Sequence, residues 1–206
     1  LDANTTANSN TAIGTVALTL NTTGANNTAL GSGALSANTT ASNNTAIGYE
    51  AMDQNTTGAN NVAVGANVLD ACTTGSNNNA FGTFALTNLT TGSNNTSLGH
   101  NSLADTSTAS NNTAVGYFAL KANTTGTLNV AVGNNALDAN TTGQKNTALG
   151  SSALSANTTA DNNTAVGNGA LLLSTGASNT AVGGDALLLN TTGAANTGVG
   201  KDALKA

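Results

Sequence analysis

The sequence predicts an all-β protein, a parallel β-solenoid with seventeen residues per coil and about twelve coils. Glycine stands at positions 14, 31, 48, 65, 82, 99, 116, 133, 150, 167, 183 and 200, each time behind an apolar residue. The interval is seventeen residues except once, where it is sixteen. A unit this short holds too few apolar groups to bury a core alone, so it is one layer of a stack. Every unit is also built from Asn, Thr and Gly, which are weak helix formers.

The unit reads Asn-Thr-Ala-Val-Gly-x-x-Ala-Leu-x-Ala-Asn-Thr-Thr-Gly-x-Asn. Its first run, Thr-Ala-Val, is expected as a strand. The run Ala-Leu-x-Ala after the glycine is expected as a second short strand. Asn-Thr-Thr-Gly is expected as the turn into the next coil. The last place of that turn is Gly in eight units and Ala in four (Ala7, Ala41, Ala109, Ala160), so a positive φ is favoured there but not required. The shortened unit loses its residue inside this turn, at Ser174-Thr175-Gly176, where a deletion is easiest to absorb.

The asparagine four places before the glycine is present in every unit: Asn10, Asn27, Asn44, Asn61, Asn78, Asn95, Asn112, Asn129, Asn146, Asn163, Asn179 and Asn196. Coils rising by about 4.8 Å would stack these residues one above another. They are expected to form a buried ladder in which each side-chain amide donates to the next. The fixed small or apolar columns face a packed interior. The variable columns after the glycine, with Thr15, Tyr49, Glu50, Phe84, His100, Asp185 and Lys201, face water.

Each coil offers only two large aliphatic residues, too few to offset the ordering of seventeen residues. The Ala and Gly columns of the strand would present a surface of small side chains to another chain, so a homo-oligomer is expected. Leu1-Asp2-Ala3-Asn4 is in phase with Leu137-Asp138-Ala139-Asn140, and residues 1–206 read as a single array without a domain boundary. The array is expected to be a segment of a longer fibre, or a subunit that stacks end to end into a filament.

Leu, Ile, Val and Phe together stay under about a fifth of the chain, a level at which disorder competes with folding. The strict pattern and a net charge of only −5 argue for order. Arg is absent and aromatic residues are rare, so no nucleic-acid partner is expected. The longest apolar run, Ala170 to Leu173, is too short for membrane insertion.

Asn-Thr-Ala-Ile-Gly at Asn10–Gly14 and Asn44–Gly48 resembles the head repeat of trimeric autotransporter adhesins of the YadA type. That resemblance covers the whole chain and implies a left-handed, trimeric parallel β-roll. The longer stretch from Asn44 to Gly58 resembles repeats of phage-type tail-fibre proteins. Both imply an extracellular place, on a cell surface or a virion fibre, with a host surface or glycan as ligand. No segment matches a membrane anchor, a coiled-coil stalk or an autocleaving domain.

No catalytic residue, cofactor site or metal site is expected. Paired carboxylates, which a carbohydrate-cleaving solenoid would need, do not recur. His100 is read as solvated. Cys72 has no partner in the chain and is left with at most an interchain contact. Gly183-Gly184-Asp185 matches a fragment of a calcium-binding repeat but occurs once. Asn4, Asn21, Asn38, Asn55, Asn123, Asn140, Asn157 and Asn190 open Asn-Thr-Thr turns and are candidate glycosylation sites; the plainer reading is that Asn and Thr form good turns. The expected function is a non-enzymatic fibre or adhesin shaft or head that gives length, rigidity and multivalent contact. The alternative is an ice-binding solenoid using the rows Thr5, Thr22, Thr39, Thr56 and Thr6, Thr23, Thr40, Thr57.

Overall fold

A computed structural model describes residues 2–205. Twelve three-residue strands form one parallel sheet in sequence order. They are β1 (Thr11–Ile13), β2 (Thr28–Leu30), β3 (Thr45–Ile47), β4 (Val62–Val64), β5 (Asn79–Phe81), β6 (Thr96–Leu98), β7 (Thr113–Val115), β8 (Val130–Val132), β9 (Thr147–Leu149), β10 (Thr164–Val166), β11 (Thr180–Val182) and β12 (Thr197–Val199). Equivalent positions pair, as Thr28 with Thr45 and Leu30 with Ile47. The pairing survives the short coil, where Thr164 meets Thr180. The chain is thus a parallel β-solenoid of about seventeen residues per turn, with no helix among the described residues.

The run after the glycine is not a second strand. It is a chain of tight turns in which residues with positive φ alternate with ordinary ones. In the third coil these are Gly48 (φ 137°), Glu50 (φ 51°) and Met52 (φ 55°). Their N–H groups still bond neighbouring coils: Gly48 to the Leu30 carbonyl at 2.8 Å, Glu50 to Ser32 at 2.9 Å, and Met52 to Val68 at 3.0 Å. Other residues close turns within the coil, as Ala51 N–H does on the Gly48 carbonyl at 3.5 Å and Asn55 N–H on that of Met52 at 3.2 Å. Alternating the sign of φ lets the backbone bend while its hydrogen bonds keep pointing along the stack.

That conformation is unfavourable for leucine, by about 1–2 kcal/mol per residue. Yet the fourth residue after every glycine adopts it, Leu35 and Leu120 with φ of 52° and 53°. Burying a leucine stabilises by about 1.5–3 kcal/mol, enough to offset the backbone cost. Leu35, Leu69, Leu86, Leu103, Leu120, Leu137 and their equivalents form the core with the alanines of the strand and of the turn run.

Only one of the two aliphatic columns lies in that core. In β6 the middle residue Ser97 is buried, whereas Leu98 is 48 % exposed. Strand alternation forces this choice: the central Ala points inward, and the Thr and aliphatic columns on either side point outward. The strand's outer surface is therefore Thr and aliphatic, rather than the small-residue surface expected for a partner chain.

The recurrent glycine is required twice over. Its φ lies between 119° and 141° throughout, and a Cβ on Gly48 would sit 2.2 Å from the Gly65 carbonyl oxygen. The glycines of the Asn-Thr-Thr-Gly turn differ: their φ is not positive, and a Cβ on Gly58 would meet the Gly75 oxygen at 2.2 Å. Close coil contact selects glycine there, rather than backbone handedness. Gly48→Ala is expected to destabilise the chain by about 2 kcal/mol or more, against less than about 0.5 kcal/mol for the exposed Ser32→Ala; urea unfolding of both variants measures the difference.

Candidate binding surfaces

The asparagines before the strands are buried from Asn27 to Asn179. All of these but Asn163, whose Nδ2 has no partner, clamp two backbone groups rather than relying on a neighbouring amide. Asn27 Oδ1 accepts the N–H of Asn44 at 3.0 Å, and Asn27 Nδ2 donates to the Ala41 carbonyl at 2.8 Å. The first bond recurs down the array, for instance Asn129 N–H to Asn112 at 3.0 Å and Asn179 N–H to Asn163 at 2.8 Å. Amide-to-amide contact is secondary and local, as between Asn95 and Asn78 at 3.1 Å.

A true amide ladder lies instead in the turns, among the residues considered for glycosylation. Asn21, Asn38, Asn55, Asn123, Asn140 and Asn157 are fully buried, so the turn exposure expected of them is absent. Asn38 Nδ2, the atom a glycan would occupy, donates to Asn21 Oδ1 at 2.8 Å and to the Ala41 carbonyl at 3.1 Å. Asn55 bonds Asn38 and Asn157 bonds Asn140 in the same way, at 3.0 and 2.9 Å. Asn4 and Asn190 are half-buried, and their amides also bond turn carbonyls, of Ala7 and Gly193, at 3.1 Å.

Cys72, Leu89 and Thr106 interrupt this ladder in three successive coils. Cys72 is buried among core residues, its Sγ 3.6 Å from the Gly75 carbonyl, so it faces the interior and not another chain. Burial pushes its thiol up to about 11. The interruption leaves Asn55 Oδ1 and Thr106 Oγ1 without partners. Ser174 breaks the ladder again in the short coil, where Asn157 Oδ1, Asn163 Nδ2 and Ser174 Oγ are unpartnered.

The two threonine rows considered for ice differ in exposure. Thr22 and Thr56 spend their hydroxyls on the carbonyls of Thr39 and Thr73, both at 3.0 Å. Their neighbours Thr23, Thr40 and Thr57 are exposed. A different row, Thr11, Thr28, Thr45, Thr96, Thr113 and equivalents, lies on the outer face of the sheet beside the aliphatic row.

The variable columns carry the remaining chemistry. Glu50, Asp53 and Asp70 approach one another, and burial, then the two neighbouring carboxylates, raise Asp70 above the usual carboxylate range. Among the described residues no three His, Cys, Asp or Glu side chains are placed to hold a metal ion, and no helix is long and apolar enough to cross a membrane. A cavity lined by Leu187, Asn190, Asn196 and Leu204 lies at the twelfth coil. His100 is exposed but not merely solvated: its ring stacks on Tyr117 with centroids 5.7 Å apart. Sequence reading treated these positions singly; their separation by one repeat was the signal that they meet. Comparison with protein-family models, with curated proteins and with solved structures finds no match.

Asn112→Ala is expected to orphan the Asn129 N–H, which Asn112 Oδ1 now accepts at 3.0 Å, while the Gly126 carbonyl keeps the Asn123 amide at 3.0 Å. The loss should be about 1–3 kcal/mol, read from chemical unfolding. Cys72 should stay unlabelled by a water-soluble maleimide at pH 8 in the folded chain and react fully in guanidinium chloride; mass spectrometry distinguishes the two.

Proposed function

We propose that the chain is a non-enzymatic structural segment of an extracellular fibre or adhesin, supplying length, stiffness and repeated surface contact. One observation carries this reading. A row of aliphatic side chains runs along the outer face of the sheet with nothing covering it, including Ile13, Leu30, Leu98, Leu149, Val182 and Val199. A continuous apolar surface of this kind marks an interface. A second copy is the occupant that fits, because its rows repeat with the same period and bring like columns together along the whole length. The resemblance of Asn10–Gly14 and Asn44–Gly48 to adhesin head repeats favours three chains, a left-handed coil and a place on a cell surface or virion.

Sedimentation velocity and electron microscopy test this directly. The expected result is a trimer mass and rod-shaped particles, with Val64→Lys, Val115→Lys and Val132→Lys together giving monomers. Compact monomers of the unaltered chain at high micromolar concentration would sink the proposal.

The outward threonine row of the sheet favours a second reading, an ice-binding face. It predicts thermal hysteresis that Thr28→Lys and Thr45→Lys abolish. An unaltered freezing point gap in the parent chain removes it.

A further inference from the structure

The chain has three Phe, two Tyr, one His and no Trp. Three of those aromatic residues and the histidine meet at one place. Phe84, His100, Tyr117 and Phe118 come from three successive coils, in the two columns that follow the glycine corner. Tyr117 and Phe118 stack with centroids 4.0 Å apart. His100 lies 5.7 Å from Tyr117 and 6.3 Å from Phe118, and Phe84 meets it edge-on at 6.1 Å. Phe84 and Tyr117 are 40 % and 48 % exposed.

Polar groups border the rings. Lys121 Nζ stands 5.4 Å from the Phe118 centroid and 3.7 Å from Asp105. Asn101 Nδ2 lies 2.9 Å from His100 Nε2. Asn135, whose N–H bonds the Tyr117 carbonyl at 3.0 Å, carries a buried side-chain oxygen with no partner.

The fold does not call for these rings. Phe84 and Phe118 have φ of 59° and 57°, in a column where seven of the other ten coils have glycine, asparagine or aspartate, as at Gly33, Asn67 and Asp185, and the remaining three have Val16, Glu50 and Ser152. Glycine and asparagine tolerate that backbone, and a phenylalanine does so at a disadvantage. Local structure therefore loses by having aromatics here, and such departures point to function.

We infer that this cluster is a carbohydrate-binding platform that takes the rings of a neutral oligosaccharide. The apolar C–H face of a pyranose stacks on an aromatic ring, and its hydroxyls suit the amides and the Asp105–Lys121 pair at the rim. Successive coils stand about 4.8 Å apart, close to the length of one sugar unit, so consecutive sugars can meet consecutive rings. A nucleic acid would also stack, but phosphate finds little here: the chain carries −5, has no Arg, and its nearby Lys121 is paired with Asp105. The inference deepens the surface-contact part of the proposed function and rests on it for a glycan-bearing target. Assembly and sugar binding are read by different measurements, so either can fail alone.

The test titrates the full chain with cellohexaose, chitohexaose and maltohexaose, and with a ten-nucleotide oligo(dT), following tyrosine fluorescence and amide NMR shifts. The expected result is saturable binding of at least one sugar, with shifts centred on Phe84, His100, Tyr117 and Phe118. Tyr117→Asn with Phe118→Asn should weaken binding at least tenfold without moving the melting temperature, since Asn134 and Asn135 fill the same columns one coil on. Tyr49→Asn, in the same column elsewhere, should leave binding unchanged. No saturation with any of the three sugars, unchanged sugar binding in the double variant, or tighter binding of oligo(dT) would each overturn the inference.

Discussion

At the corner before each strand, the backbone turns through a residue of positive φ, such as Asn26 or Asn43. Strand pairing cannot satisfy an N–H and a carbonyl that this bend turns inward. One buried carboxamide does so, because it offers a donor and an acceptor at fixed separation. Aspartate lacks the donor and an aliphatic residue lacks both. The position is accordingly asparagine in all twelve coils of this chain. Once the corner is held, the strand behind it has only one register. The close glycine contacts, the stacked leucines and the turn ladder all follow from that register.

Glycine spacing, the asparagine column and the seventeen-residue layer were legible in the sequence because each repeats without local contradiction. The outward aliphatic row was not. A three-residue strand alternates faces, but Thr-Ala-Val suits either orientation until the size of the interior is known. The Ala-Leu-x-Ala run misled for another reason: leucine is among the last residues expected at positive φ, and only burial of Leu35 or Leu120 explains it. The buried turn asparagines were hidden by their polarity, which reads as exposure until the ladder from Asn38 to Asn21 is seen. Of the candidate site, the individual rings were visible and their meeting was not, because variable columns carry no pattern of their own.

Departures from the repeat come in groups, as expected where neighbours couple. In the sixth coil Ser97 and Ser102 both replace alanine in the core, and the two hydroxyls contact each other. Ser102 also donates to the Gly99 carbonyl at 3.0 Å. Ser97 has a backbone acceptor as well, the Ser102 carbonyl at 2.9 Å, so both hydroxyls are satisfied within an apolar interior. The substitutions at Cys72, Leu89 and Thr106 are likewise adjacent, which gathers three of the four breaks in the turn ladder into one stretch, Ser174 being the fourth.

The sixteen-residue coil keeps its strand pairing and its Asn179-to-Asn163 bond, so its register is sound. It leaves three side-chain polar atoms nearby without partners, on Asn157, Asn163 and Ser174. In a stack whose layers are joined in series, tension along the axis is the same at every joint, and the joint with fewest bonds yields first. A pull on the two ends would therefore not tear this molecule at random. It would part at one of the two interrupted stretches of the turn ladder, from Cys72 to Thr106 or at Ser174, while the layers with an unbroken ladder stay closed.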